Sequence, residues 1–167
     1  MKNINYIEVT KEWLDNAKPN NHIVKDANYY EGVDGTKYYV DGKNVVLDYS
    51  EKEKEVAKWL KNTFGGKIYM LPRVNNPSGI MTADYFFKNE YWDLKEILGN
   101  GKHTLDSAIK KKKSQAKNFI FDISNSVINI ESINNQIKKI YKSKDRKWID
   151  KILVKRNNDV VIIYKRK

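Results

Sequence analysis

Apolar residues recur at a helical period in two parts of this chain. The first pattern predicts a helix that starts at Ser50, ends at Gly65-Gly66 and buries Val56, Ala57, Leu60 and Phe64. Ser50 and Glu53 have the spacing of a capping box, which supports this start. The second pattern predicts a helix over residues 130–142, with Ile133, Ile137, Ile140 and Tyr141 on its inner face. A third helix is predicted from Thr104 to about Lys117.

Short apolar runs between these helices predict strands. They cover residues 67–71, 119–123, 148–155 and 160–165, and residues 37–47 read as a hairpin around Asp41-Gly42. A short helix is predicted from Thr10 to Ala17. The elements from Ser50 onward alternate, which predicts an α/β (α+β) fold with a single mixed central sheet flanked by helices.

Charge is distributed unevenly along the 167 residues, which carry a net charge of +11. Residues 1–100 have a net charge of −1, whereas residues 101–167 have a net charge of +12. A basic half of this kind favours a polyanionic partner such as nucleic acid over a simply solvated lysine-rich surface. The chain has no cysteine, so thiolate chemistry is excluded. It has no apolar run of 18 residues and no apolar signal-peptide core near Met1, so we expect no membrane insertion.

The segment from Asp84 to Lys95 combines acids with a lysine on two predicted strands. A turn at 88–90 would place Asp84 beside Asp93, and strand alternation puts Asp93 and Lys95 on one face. Two carboxylates and an ammonium at one spot could hold a divalent cation and stabilise charge on a phosphate. The alternatives are a turn-closing Asp84 and a surface ion pair between Asp93 and Lys95.

Glu53 is a further candidate, because it lies on the apolar stripe of its predicted helix. A carboxylate facing a core requires a partner, a proton or a metal ion. The alternative is that Glu53 only caps Ser50.

These residues resemble a known family. Glu53, Asp84 and Asp93-Leu-Lys95 follow the helix–strand–strand order of the PD-(D/E)XK nuclease superfamily, whose core runs helix-strand-strand-strand-helix-strand. More closely, residues from about 45 to 167 resemble the C-terminal tRNA nuclease domain of contact-dependent growth-inhibition (CdiA-type) toxins. The resemblance rests on the segments 48–57, 82–85, 91–95, 104–109 and 115–122. Ala83 stands where that motif has proline.

The resemblance implies a nuclease domain over residues 45–167, with 1–44 as an accessory or leader segment. Asp84, Asp93 and Glu53 would ligate Mg²⁺ or another divalent cation, and Lys95 would orient the attacking water or stabilise the phosphate. Gln115, on the predicted third helix, would position a phosphate or water, although a plain surface role is the alternative. Thr104, Lys112 and His103 are further candidates for substrate binding, because a helix N-terminus and lysines attract phosphate.

The residues are also compatible with two other functions. His103, with Lys95 and Thr104, would suit a metal-independent ribonuclease of the barnase/EndoU/colicin/RelE-like group, in which the 2′-hydroxyl is the nucleophile. A non-enzymatic nucleic-acid-binding module of a mobile element is the third hypothesis. The expected function is a ribonuclease toxin that cleaves tRNA, although a DNA substrate is not excluded. Such a toxin would act in the target-cell cytoplasm, and we expect an acidic cognate immunity protein.

Overall fold

The computed structural model describes residues 5–113 and 115–167, with the side chains of residues 20–22 outside the description. The described chain forms two compact units that interleave along the sequence. Unit 1 comprises the described residues of Met1–Glu12, Leu94–Lys113 and Lys117–Lys167. Unit 2 comprises those of Trp13–Asp93 and Ser114–Ala116. Neither unit ends at residue 44, and an accessory or leader role for residues 1–44 stays a prediction.

Unit 1 packs a mixed sheet against two helices. Its strands are β1 (Tyr6–Glu8), β10 (Asn118–Asp122), β11 (Lys151–Arg156) and β12 (Asp159–Arg166), and its helices are α3 (Thr104–Ile109) and α4 (Ile130–Lys142). The strand order is β1-β12-β11-β10, and the end of strand β9 (Glu90–Glu96) lies beside β10. Strands β10 and β11 are parallel, whereas β11–β12 and β12–β1 are antiparallel.

The core of unit 1 is apolar and follows the predicted helical stripe. Ile133, Ile137, Ile140 and Tyr141 of α4 are all buried, as the 3.6-residue period predicts. Asn129 caps this helix by accepting a hydrogen bond from the Ser132 amide at 2.8 Å. The single-turn 3₁₀ helix Lys144–Arg146 follows α4.

Unit 2 contains the strands that follow in the same eight-stranded sheet, in the order β9-β8-β6-β2. The strands are β2 (Lys18–Asp26), β6 (Gly65–Met70), β8 (Tyr85–Phe87) and β9 up to Asp93. Strands β2 and β6 are parallel, and β6–β8 and β8–β9 are antiparallel. The β8–β9 hairpin turns through Lys88 and Asn89, which have φ values of 52° and 63°.

Helix α2 (Glu51–Phe64) packs against this sheet with its predicted apolar face. Val56, Ala57, Leu60 and Phe64 are buried. The helix stops at Gly65, whose φ is 78° and whose missing side chain lets the Lys18 carbonyl approach. Helix α1 (Thr10–Asp15) connects the two units along the chain. The longest described helix, α2, has 14 residues, and none of the described helices is long and apolar enough to cross a membrane.

Parts of the secondary-structure prediction are wrong. The predicted 37–47 hairpin does not form, because β4 (Lys37–Tyr39) pairs with β3 (Tyr29–Glu31) and β5 (Val45–Val46) pairs with β7 (Arg73–Val74). The Asp41 carboxylate accepts hydrogen bonds from the amides of residues 43–45. These bonds close a local turn, and β5 does not return along β4 after it.

The helix predicted over 104–117 ends at Ile109. Four consecutive lysines follow, and their like charges at i,i+3 spacing destabilise a helix. Lys112 and Gln115 therefore lie in turns rather than on a helix. The predicted α+β fold class with a mixed central sheet is confirmed, because the eight-stranded sheet contains both parallel and antiparallel strand pairs.

Candidate active site

Glu53 reaches the site from the first turn of α2. Ser50 caps that turn, with its Oγ accepting a hydrogen bond from the Glu53 amide at 3.1 Å. The Glu53 side chain is only 16% exposed, and its Oε1 accepts a hydrogen bond from Arg73 Nη2 at 2.9 Å. The local helix start thus fixes the backbone of Glu53, while its carboxylate pairs with a residue 20 positions later.

Asp84 reaches the same arginine from the residue before β8. It is 6% exposed, and its Oδ1 accepts a hydrogen bond from Arg73 Nη2 at 3.0 Å. Its backbone is held on both sides, because its carbonyl accepts from the Leu71 amide and its amide donates to the Trp92 carbonyl. Two carboxylates from separate elements therefore converge on one nitrogen atom.

Arg73 is the residue of this site that the sequence reasoning did not single out. It lies on the two-residue strand β7, opposite Val46, and its side chain is 30% exposed. It is the only arginine among the first 100 residues, which otherwise use lysine as their basic residue. That contrast is the one signal in the sequence, because guanidinium groups pair with two carboxylates better than ammonium groups do.

Burial and mutual repulsion set the electrostatics of the acid pair. Burial is the main cause that raises the pKa of Glu53, the neighbouring Asp84 charge adds to the rise, and Arg73 opposes it. The Tyr85 hydroxyl donates to the Glu53 backbone carbonyl at 2.6 Å. Burial, followed by the charges of Asp84 and Glu53, raises the pKa of Tyr85 well above its ordinary value, so it stays a neutral donor.

Asp93 lies on β9 close enough for its charge to act on the same groups. It is 2% exposed. Burial lowers the pKa of Arg73, but the charges of Asp84, Glu53 and then Asp93 raise it overall. Asp93 also adds to burial and to the other two acids in raising the pKa of Tyr85. The antiparallel β8–β9 register pairs Tyr85 with Trp92. Asp84 and Asp93 are the next residues beyond that pair, so they lie at the same end of the hairpin. In the described part of the chain, no group of three or more His, Cys, Asp or Glu side chains is placed to hold a metal ion. Ligation by Glu53, Asp84 and Asp93 together stays a prediction.

The donor chemistry does fit a cation held by two carboxylates. The oxygens of Glu53 and Asp84 already meet at a single positively charged nitrogen. Mg²⁺ in phosphate-processing sites commonly takes one or two protein carboxylates and fills its other positions with water and substrate phosphate. The pair has that donor number, and Arg73 occupies the cation position.

Gln115 lies beside the strand segment that carries Asp84. Its Nε2 donates to the Thr82 carbonyl at 3.2 Å, and neighbouring Ala116 packs in a cluster with Ala83, Tyr30 and Leu71. The Oε1 atom of Gln115 is buried and has no hydrogen-bond partner among the described residues. A role for Gln115 in substrate binding stays a prediction.

The remaining predicted residues belong to unit 1. Lys95 lies on β9, which is an unbroken strand from Glu90 to Glu96. His103 is exposed at the N-cap position of α3 and makes no side-chain cap hydrogen bond, and Thr104 begins that helix. Lys112 is half-buried in a turn. Their proposed roles stay predictions.

Comparison with known proteins finds one family that is similar to part of this chain. Residues 81–160 match the family model of the contact-dependent growth inhibition CdiA C-terminal domain. The fold is similar to a chain of the CdiA-CT/CdiI toxin and immunity complex from Burkholderia pseudomallei, with a TM-score of 0.52 and 21% sequence identity. That match covers 66% of this chain and 80% of the other. No curated protein sequence matches significantly. Residues 81–160 are therefore similar to the C-terminal domain of CdiA from contact-dependent growth inhibition, and the fold is similar to that of a chain from a toxin and immunity complex.

Proposed function

We propose that this toxin domain is a nuclease that cleaves phosphodiester bonds in RNA, with tRNA as its expected substrate. The observation that carries the proposal is the convergence of Glu53 and Asp84 on one nitrogen of Arg73. Buried acids of this kind, with a raised pKa at Glu53, are typical of functional sites. The net charge of +11 supports a polyanionic substrate.

Four charged residues near one another in the sequence or the site, and Lys95, would act in the proposed reaction. Glu53 and Asp84 would hold Mg²⁺, with Asp93 adding negative charge nearby. The bound ion would supply Lewis-acid stabilisation of the phosphate. Arg73 would donate to phosphate oxygens, for which its planar fork is suited. The charge of the bound ion would keep the Glu53 carboxylate ionised, so Glu53 would act as a ligand and would not accept a proton from the attacking water. Lys95 is the residue that the motif assigns to orienting that water.

The experiment is cleavage of total tRNA by the purified chain, with Mg²⁺ and with EDTA. The variants Asp84→Asn and Asp93→Asn remove the acids while keeping side-chain size, and Asp34→Asn is a matched control at an exposed turn. We expect Mg²⁺-dependent cleavage that both site variants abolish and the control retains. Cleavage that survives EDTA and is lost in His103→Ala would replace this mechanism with the metal-independent one. Salt-sensitive binding without cleavage would leave a binding module.

The partner and the place of action follow as proposals. The similar structure is described as a toxin and immunity complex, and we propose that an immunity protein also binds this domain. An excess of 32 basic over 21 acidic residues favours an acidic partner, because opposite charge speeds association. Delivery into a target cell, with action in its cytoplasm, is proposed from the family. Growth arrest on cytoplasmic expression of the wild type, and its absence with Asp84→Asn, would test that site of action.

A further inference from the structure

An open cavity of about 660 Å³ in unit 2 combines aromatic rings with acidic side chains. Its rings come from Tyr29, Tyr69, Phe86 and Tyr91, and its polar rim includes two acids, one amide and one lysine: Asp26, Glu31, Asn28 and Lys25. A volume of this size is within the range of small-ligand sites. None of these residues belongs to the acid–arginine site described above.

The aromatic wall is organised before any ligand arrives. Tyr91 stacks on Tyr30 with ring centroids 5.2 Å apart and contacts Phe86 edge-on at 5.5 Å. Phe86 in turn lies 6.3 Å from the Tyr69 ring. The Tyr91 hydroxyl is fixed by donating to the Glu31 carbonyl at 2.9 Å. Rings held in this way present area for stacking without losing conformational freedom on binding.

The acidic rim indicates which part of an RNA would enter. Carboxylates repel phosphate, but they accept hydrogen bonds from the exocyclic amino group of a base. Single-stranded RNA is recognised by stacking unpaired bases on aromatic side chains and bonding their edges. A base would enter this cavity, while its phosphates would stay outside near basic or metal-binding groups.

The cavity is adjacent to the acid–arginine site. The Tyr49 hydroxyl lies near the rim, because it donates at 3.1 Å to the carbonyl of Met70, which pairs with Asp26 between β2 and β6. Leu71, which also lines the cavity, donates its amide to the Asp84 carbonyl at 3.0 Å. A base bound here would therefore lie close to a phosphate at the acids.

We propose that this cavity binds an unpaired RNA base that carries an exocyclic amino group, next to the bond that is cut. The proposal rests on the proposed nuclease function for its substrate class. Asp26 would accept the amino hydrogen, and Tyr69 and Phe86 would stack on the ring. Uracil, which has no amino group, would bind less well.

Binding can be measured apart from cleavage in the Asp84→Asn background. Five-nucleotide single-stranded RNAs of uridine, with a central A, C, G, U or abasic position, are titrated by calorimetry in Mg²⁺. We expect the abasic RNA and the all-uridine RNA to bind at least about tenfold more weakly than the best amino-bearing RNA. Adding Tyr69→Leu should weaken binding of that best RNA by roughly 5- to 150-fold.

The rim acid has its own matched pair of variants. Asp26→Asn should reduce the preference over uridine by roughly tenfold, because an amide presents one acceptor and no charge. Asp34→Asn removes the same charge at an exposed turn outside the cavity and should leave the preference unchanged. Circular dichroism checks that each variant is folded.

Equal binding of all five RNAs, together with no effect of Tyr69→Leu, would overturn the proposal and leave the cavity to a protein partner. That result is separable from failure of the nuclease function, since wild-type cleavage of tRNA is assayed independently. Base-dependent binding by a chain that cuts nothing would support the cavity while refuting the nuclease.

Discussion

Replacing Arg73 by methionine would remove the positive partner that Glu53 and Asp84 share. Both carboxylates are largely buried, with 16% and 8% of their side chains exposed, and each accepts one charge-assisted hydrogen bond from Arg73. Breaking a fully buried ion pair costs about 3–5 kcal/mol. Because Arg73 is itself 30% exposed, water screens part of the effect. We therefore expect the free energy of unfolding to fall by about 2–3 kcal/mol at pH 7.5.

The loss of stability in Arg73→Met should depend on pH in a defined direction. The pKa of Glu53 is already raised above its ordinary value of 4.5, and Arg73 opposes that rise. Without Arg73 the folded-state pKa would rise further, so the folded protein would hold the proton more tightly than the unfolded chain does. The free energy of unfolding of the variant would then decrease as pH rises from about 4.5 through the folded-state pKa. Each pKa unit between the folded and unfolded states corresponds to about 1.4 kcal/mol. The variant should lose more stability at pH 7.5 than at pH 4.5.

Urea unfolding followed by tryptophan fluorescence measures this difference. Trp13, Trp59 and Trp92 are in the same unit as Arg73, so the signal reports mainly on that unit. Lys54→Met is a suitable control, because it breaks an exposed i,i+3 pair with Glu51 and should change stability by less than about 1 kcal/mol. Equal losses for Arg73→Met at both pH values would refute the reasoning. Mg²⁺ at about ten times its dissociation constant should restore about 1.4 kcal/mol if the freed carboxylates hold the ion.

Three further sets of substitutions test how the backbone positions the site. Gly65→Ala should destabilise the protein by more than about 3 kcal/mol, because the new Cβ would lie 2.0 Å from the Lys18 carbonyl oxygen. Gly66→Ala is its control, since a Cβ there meets nothing within 4 Å and should cost only about 1–2 kcal/mol. Thermal or urea unfolding measures both effects. Ser50→Ala should lower the free energy of unfolding by about 1 kcal/mol through loss of the α2 cap, and Ser50→Asp should retain most of it. Tyr85→Phe should cost about 1–2 kcal/mol with an unchanged urea m-value, because it removes one hydrogen bond to the Glu53 carbonyl.

Local patterns predicted the elements that local interactions determine. The cap at Ser50, the stop at Gly65 and the inner face of α4 all depend on residues within one or two turns, and the structure has them where the sequence places them. Strand β2 was not predicted, because its apolar residues are few and its place depends on parallel pairing with β6, 40 or more residues away. The 37–47 hairpin failed for the same reason, since Val45 pairs with distant Val74 rather than with its neighbours.

The candidate site likewise has a part that the sequence predicted and a part that it did not. Glu53 and Asp84 could be singled out because each is an acid in an apolar context, and an acid there needs a partner. The identity of that partner could not be read from spacing, because Arg73 reaches the acids through a two-residue strand whose pairing is non-local. Three acids in sequence suggested a metal ion as the counter-charge, whereas the structure places a guanidinium between two of them.

Arg73 offsets the charge of this acid pair only in part. The pKa of Glu53 remains raised despite the arginine, which means that burial and the Asp84 charge together outweigh its attraction. Asp93 adds a further negative charge nearby. The folded protein therefore favours a proton or another positive charge at Glu53 more than an exposed glutamate does. A divalent cation would supply that charge, and its binding would release Arg73 to contact a phosphate. Under the proposed nuclease function, the acids would repel a polyanionic substrate unless a cation is bound, which would make substrate binding depend on the cation.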